Sequence, residues 1–144
     1  MKIVVQRSLN SSVSIRGEVV SQIRSGLVLL VCMETGDSDE SIKQAAQKII
    51  NLRIFSDENG KMNKNISQAG GEILAVSQFT LSWPGKKGNR PSFDRSMEPN
   101  LANEYFEKFC NLVGESVGVK KGVFAESMQV TIINDGPVTF FLEF

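Results

Sequence analysis

The order of segments in this sequence predicts an α+β fold: a single domain over residues 1–144, with a mixed or mainly antiparallel sheet and two main helices. Three observations carry that expectation. Strand-like segments open and close the chain. Two amphipathic helical stretches interrupt them. The chain has 144 residues, 41% of them hydrophobic, which suits one domain around one buried core.

Residues 2–8 read as a strand, and Ser12-Val13-Ser14-Ile15 alternates as a half-buried strand does. Arg16-Gly17-Glu18 is a turn into a strand over 19–23, and Gly26 precedes the apolar run 27–31, expected to be a central strand buried on both faces. Asp37-Ser38-Asp39-Glu40 marks a helix start, with Asp37 as cap and Glu40 three residues on. Ile42, Ala45, Ala46 and Ile49 then share one face. That helix is expected to give way near Leu52 to a short strand, Arg53-Ile54-Phe55, and the turn Asp57-Glu58-Asn59-Gly60. Glu72 to Leu81 reads as a buried strand and Trp83 to Asp94 as a loop. Pro99 fits the first turn of a second helix with a stripe of Leu101, Tyr105, Phe109 and Leu112, stopping at Gly114. Two strands, 128–133 and 138–144, close the chain around the turn Asn134-Asp135-Gly136-Pro137. The last strand, ending on Phe144, is expected to be tied into a sheet or an interface.

Composition narrows the chemistry. There is no histidine and only two cysteines, so a Ser-His-Asp triad, a Cys-His dyad and histidine-ligated zinc are excluded. Cys32 and Cys110 read as small buried hydrophobes, and two cysteines alone cannot build a structural zinc site; no metal or cofactor is expected. Hydrolytic chemistry in this chain has to use carboxylates, lysine, hydroxyls, backbone dipoles or the substrate itself. The formal net charge is zero. That argues against a long nucleic-acid footprint and leaves room for a local basic patch suited to one end of a nucleic acid. No apolar run reaches the roughly 20 residues that span a bilayer. Met1-Lys2-Ile3-Val4-Val5-Gln6-Arg7 reads as a first strand rather than a signal peptide, so the expected address is the cytoplasm, without a membrane partner.

Three constellations could carry function. In Ser77-Gln78-Phe79-Thr80-Leu81, polar residues follow an apolar strand, where they must be paired or line a pocket; a strand passing from core to surface has the same composition. Asn134-Asp135-Gly136-Pro137-Val138-Thr139 is good turn chemistry, and its prolyl bond can be cis or trans. Gly85-Lys86-Lys87-Gly88-Asn89-Arg90-Pro91-Ser92-Phe93 is a basic, glycine-rich loop that can contact phosphates or simply be solvated.

The first two motifs, in this order, resemble the paired signature of D-aminoacyl-tRNA deacylases. Val5-Gln6-Arg7, Leu52-Arg53-Ile54-Phe55-Ser56-Asp57, Gly60-Lys61-Met62-Asn63, Gly88-Asn89-Arg90-Pro91-Ser92-Phe93 and Met128-Gln129-Val130 extend the resemblance over essentially the whole chain. Cys32, where a glycine is expected, and Trp83-Pro84, in place of small or polar residues, depart from the family's pattern. Trp83 lies near the first motif and bears on the rim of the pocket.

The resemblance implies a homodimer with a β-rich interface and an active site at that interface. It places Ser77, Gln78, Phe79 and Thr80 at the catalytic centre. Gly136-Pro137, cis in the family, would reach into the partner's site and reject L-amino acids while admitting D-amino acids and glycine. Arg7 would brace that segment, with Asn134 and Met128 in the substrate site. Lys86, Lys87 and Arg90 are candidates for contact with the tRNA 3′ end; no DNA partner is implied. The ester is activated by the neighbouring ribose hydroxyl, so the expected chemistry is substrate-assisted, with backbone N–H groups around Phe79 and Thr80 as the oxyanion hole. A Thr80 nucleophile is the competing mechanism and needs an activating base. Competing functions are a non-catalytic tRNA-end binding protein on the same scaffold and an ordinary Ser/Thr esterase; the latter is weakened by the lack of histidine and of a Gly-x-Ser-x-Gly elbow. A related subfamily tolerating L-alanine carries a modified Gly-Pro segment, and Asn134 to Thr139 fits the chirality-enforcing type better.

Overall fold

Two long strands dominate the architecture of the computed structural model, which describes residues 1–86 and 88–144. β1 (Lys2–Ile15) and β2 (Glu18–Cys32) form an antiparallel hairpin about the turn Arg16-Gly17. Each joins two segments that the sequence reads as separate strands. The stretches between them stay in the ladder, with Ser8 facing Gly26, Leu9 facing Ser25 and Ser11 facing Ile23. A backbone group left unpaired there would lose a hydrogen bond.

After β2 come α1 (Asp39–Asn51), the small ladder β3 (Phe55–Ser56) and β4 (Met62–Lys64), then β5 (Glu72–Ser77). A 3₁₀ turn (Phe79–Ser82), α2 (Pro99–Gly114), β6 (Val119–Lys121) and β7 (Gln129–Glu143) complete the chain. The five-stranded sheet has the order β6-β5-β2-β1-β7. β1 runs antiparallel to β2 and β7, whereas β2–β5 and β5–β6 are parallel. The sheet is therefore mixed, and its two helices lie on one face, as the α+β expectation requires.

Side chains alternate between two cores. Ile3, Val5, Leu27, Leu29, Val31, Ile73 and Ala75 meet Ile42, Ala45, Ile49, Phe106, Phe109 and Val113 of the helices. On the opposite face, Val28, Leu74 and Val76 meet Val13 and Ile23, with Met128, Val130 and Ile132 packed alongside. The run 27–31 is thus covered on both faces except at Leu30, which is half-buried. At Gly26 the chains come so close that a Cβ would lie 1.8 Å from the Glu72 carbonyl oxygen.

Other features also differ from expectation: the strand expected over Arg53-Ile54-Phe55 forms at Phe55–Ser56. Ser38 caps α1, in a reciprocal box with Ser41. Asp37 is drawn away because its carboxylate accepts from the Glu34 N–H at 2.7 Å and pairs with the Met1 amino group. On α2 the buried residues are Phe106, Phe109, Cys110 and Val113, while Leu101 is exposed. The buried face is rotated by about one residue from the expected stripe and shares only Phe109 with it, leaving Tyr105 and Leu112 at the rim. β5 stops at Ser77 rather than Leu81. Finally, the two closing strands are one, because Asn134 to Pro137 bulges without reversing the chain.

Candidate active site

β5 ends where Ser77 faces Val31, and the Gln78 N–H makes one further bond, to the Val31 carbonyl, at 2.7 Å. The chain then winds into the 3₁₀ turn, with the Leu81 N–H bonded to the Gln78 carbonyl at 3.3 Å and the Trp83 N–H to the Thr80 carbonyl at 3.2 Å. The N–H groups of Phe79 and Thr80 open this turn and have no acceptor within it. Gln78, the preceding residue, supplies no side-chain cap. Two adjacent backbone donors are thereby left for solvent or a ligand, and both Phe79 and Thr80 are exposed.

Gln78 Nε2 donates to Thr80 Oγ1 at 2.6 Å. A carboxamide cannot take a proton at neutral pH, so this partner orients the hydroxyl without activating it. Beside the turn lies a mainly apolar cavity of about 480 Å³, whose lining includes Ser77, Gln78, Phe79, Met97, Phe124 and Met128. Met97 and Phe124 carry no polar signature and escaped the sequence reading.

The second motif interrupts β7. Gln6 faces Thr139 and Ser8 faces Asn134, so residues 135–138 are extruded opposite the single residue Arg7. Asn134 closes the base of the bulge: its Oδ1 accepts from the Val138 N–H at 2.8 Å, and its Nδ2 donates to Thr139 Oγ1 at 2.8 Å. The Gly136-Pro137 bond is cis, and both residues are exposed. Gly136 has φ +135°, and a Cβ there would lie 2.8 Å from the Val138 nitrogen and 3.3 Å from Arg7 Nη2. Arg7 reaches three acceptors: Nε donates to the Asp135 carbonyl at 3.2 Å and sits 2.9 Å from its carboxylate, and Nη1 donates to the Ile54 carbonyl at 2.7 Å.

Within one chain the two motifs are far apart. β5 and β7 are separated by β2 and β1, three steps or about 14 Å at the usual strand spacing. Ser77 is level with Val31 and Ile3, whereas the bulge is level with Arg7; four residues along a strand add about 13 Å. The combined separation of roughly 15–20 Å is too large for both to touch one α-carbon.

Phe93 of the basic loop packs edge-on against Phe79, ring centroids 4.9 Å apart, which ties the loop to the 3₁₀ turn. Lys86 and Arg90 on that loop are exposed; Lys87 lies outside the described residues. Both thiols are free and buried. Burial, reinforced by the Glu34 carboxylate, pushes Cys32 up to about 11. Burial with the Glu107 carboxylate pushes Cys110 to about 12. Neither is a nucleophile at neutral pH, because the thiolate is the reactive form. Among the described residues, no group of three or more histidine, cysteine or carboxylate side chains could hold a metal, and no helix is long and apolar enough to cross a membrane.

Residues 4–143 match the family described as D-Tyr-tRNA(Tyr) deacylase. The chain belongs to this family. Both motifs and Arg7 fall inside the match. A solved structure titled c-Myc DNA Unwinding Element Binding Protein is 39% identical, with a TM-score of 0.95 over 99% of this chain and 98% of its own. A second, titled as a probable eukaryotic D-amino acid tRNA deacylase, is 15% identical, with a TM-score of 0.81 over 98% of this chain and 97% of its own, and shows the same fold. The D-Tyr-tRNA deacylase family comprises hydrolases of D-aminoacyl-tRNA, so this chain is an aminoacyl-tRNA editing hydrolase.

Proposed function

We propose that the protein cleaves the ester of D-aminoacyl-tRNA, and of mischarged glycyl-tRNA, at a site completed by two subunits. The 3₁₀ turn of one subunit supplies the chemistry, and Gly136-Pro137 of the other supplies the chirality. The observation that carries this reading is the separation of the two exposed motifs within one chain. Oxyanion donors and a device that senses the α-carbon must lie within a few ångströms of each other, so the second motif has to come from another copy.

The surface supports such a pairing. β7 is a fifteen-residue edge strand, and exposed edges of that length are usually covered. On the sheet face opposite the helices, Val4 pairs with Phe141 and Gln6 with Thr139; Phe141 is exposed. An exposed aromatic ring beside an open edge suits a symmetric, β-rich interface.

In this reading the substrate carbonyl sits at the Phe79 and Thr80 N–H groups. The neighbouring ribose hydroxyl assists a water that adds to that carbonyl. The resulting oxyanion gains about 3–4 kcal/mol from each donor. Collapse returns a free amino acid and the tRNA hydroxyl. Ser77, Gln78 and Met128 line the cavity beside the turn, where the terminal nucleoside fits. Gly136 and Pro137, braced by Arg7 and Asn134, exclude an L side chain by occupying its place. Lys86 and Arg90, with Lys87 between them, meet phosphates of the 3′ end. The expected setting is the cytoplasm.

The neighbour that is 39% identical is titled for binding a DNA unwinding element. This chain's zero net charge does not favour a duplex footprint, and a tRNA-end binding protein without catalysis would not need the paired motifs.

A subunit-mixing experiment tests the shared site. Thr80→Pro removes one oxyanion donor, and Gly136→Val, whose side chain collides with Val138 and the Arg7 guanidinium, distorts the other motif so that it obstructs the site it enters for either enantiomer. Each variant alone should be inactive on D-tyrosyl-tRNA. Unfolded and refolded together, they should recover about a quarter of wild-type activity, because half the dimers would carry one intact composite site. No recovery, with mixed dimers formed, would contradict the reading.

A further inference from the structure

The inward side of the 3₁₀ turn is gripped by side chains from the two central strands. Cys32 Sγ, at the end of β2, lies 3.5 Å from the Phe79 carbonyl oxygen. Lys2 Nζ, at the start of β1, donates to the Leu81 carbonyl at 3.3 Å. Lys2 is buried, and its ammonium pairs with buried Glu34 at 2.9 Å. Glu34 also lies 4.0 Å from Arg95 Nε. Its segment holds the far end of the basic loop: the Thr35 N–H donates to the Arg95 carbonyl at 2.9 Å, and the Met97 N–H to the Met33 carbonyl at 3.1 Å. The ion pair therefore sits where both ends of the loop return to the sheet.

A peptide unit is planar and trans, so its C=O and the next residue's N–H point in opposite directions. The Phe79 carbonyl and the Thr80 N–H share one such unit. A donor fixed behind that carbonyl aims the Thr80 N–H away from the core. The Leu81 carbonyl and the Ser82 N–H share another, and a charge-assisted bond from an ammonium is about twice as strong as a neutral one. Glu34 at 2.9 Å is the buried counter-charge of the Lys2 ammonium, with the exposed Glu143 carboxylate at 3.8 Å, and a buried ammonium needs such pairing. The thiol is a weaker donor.

We propose that Lys2, Glu34 and Cys32 are positioning residues for hydrolysis: together they lock the carbonyl side of the 3₁₀ turn so that its leading N–H groups are preset toward the substrate. The inference rests on the reading of those N–H groups as oxyanion donors. Lys2→Met combined with Glu34→Gln removes the donor without leaving an orphan charge. It should lower kcat on D-tyrosyl-tRNA about tenfold to a hundredfold, with KM within about threefold, and shift the Phe79 and Thr80 amide resonances. Cys32→Ala should do the same to a smaller extent, about threefold in kcat. Lys2→Arg, which keeps a cationic donor, should restore most of the rate. If the double variant does not fold, Cys32→Ala and Glu34→Asp carry the same pair of measurements. Unmoved amides, whatever the rate, would overturn the clamp. Amides that move with kcat unchanged would instead overturn the oxyanion reading on which its catalytic role depends.

Discussion

Arg7 meets Asp135 twice, through the backbone carbonyl at 3.2 Å and the carboxylate at 2.9 Å, while its Nη1 holds the Ile54 carbonyl at 2.7 Å. One guanidinium thus joins the bulge of β7 to the segment after α1. A guanidinium offers several donors at fixed angles, and an ammonium does not. Arg7→Lys should therefore keep the fold, lose about 1–2 kcal/mol of stability, and cleave L-tyrosyl-tRNA measurably faster relative to the D ester. Comparing both esters under single turnover checks this; unchanged discrimination would remove Arg7 from the selection device.

The two mechanisms separate at Thr80. Its hydroxyl is bonded by the Gln78 amide at 2.6 Å, which is no base. Thr80→Ala keeps the backbone N–H and should lower kcat by less than about tenfold, whereas Thr80→Pro, which lacks that donor, should lower it by more than about a hundredfold. Near-complete loss in the alanine variant, with fold and tRNA binding intact, would mean that Thr80 is a nucleophile.

Gly26 is a packing constraint. At φ +149°, an added Cβ would lie 1.8 Å from the Glu72 carbonyl oxygen and 2.6 Å from its nitrogen. Backbone cannot yield as a flexible side chain does, so Gly26→Ala should destabilise by more than about 3 kcal/mol in urea unfolding. Because Glu72 begins β5, which leads into the 3₁₀ turn, activity should fall even in the folded fraction.

The thiols set an alkaline limit. Burial raises Cys32 from 9.0 to about 11 and Cys110 from 9.0 to about 12. Below the unfolded value both states keep these protons, and the contribution is fully present. Above it the unfolded chain loses protons that the folded chain retains, so stability declines as pH rises from 9.0 towards 11 and 12. Urea midpoints at about pH 8 and about pH 10.5 should differ, and the thiol part of that difference should vanish in Cys32→Ala/Cys110→Ala. At neutral pH the folded protein should resist alkylation with its activity intact.

What could be read in the sequence was set by local chemistry. The stripe of Ile42, Ala45, Ala46 and Ile49 is the buried face of α1, and Pro99 opens α2. Within the run 27–31, the burial of Leu27, Val28, Leu29 and Val31, and that of the cysteines, also follows from residue type. Long-range pairing was not legible. Asn134 to Pro137 has the residues of a turn, but β1 continues alongside on both sides and keeps the direction of β7 constant. Ser77 to Leu81 looks like one strand because nothing local marks where the ladder to β2 ends. Lys2 and Glu34 are not linked by any local pattern, since thirty-two positions separate the two halves of their ion pair. The visible trace is a lysine directly before the apolar residues Ile3-Val4-Val5.

D-selective hydrolysis of aminoacyl-tRNA at a site built from two copies of the chain is the proposal with the most at stake in solution. The most direct measurement is the hydrolysis of D-tyrosyl-tRNA, L-tyrosyl-tRNA and glycyl-tRNA, side by side, by the purified metal-free protein. Rapid loss of the D and glycyl esters with the L ester spared is the result expected. Cleavage of none of them above its spontaneous rate, or of D and L esters alike, would contradict it.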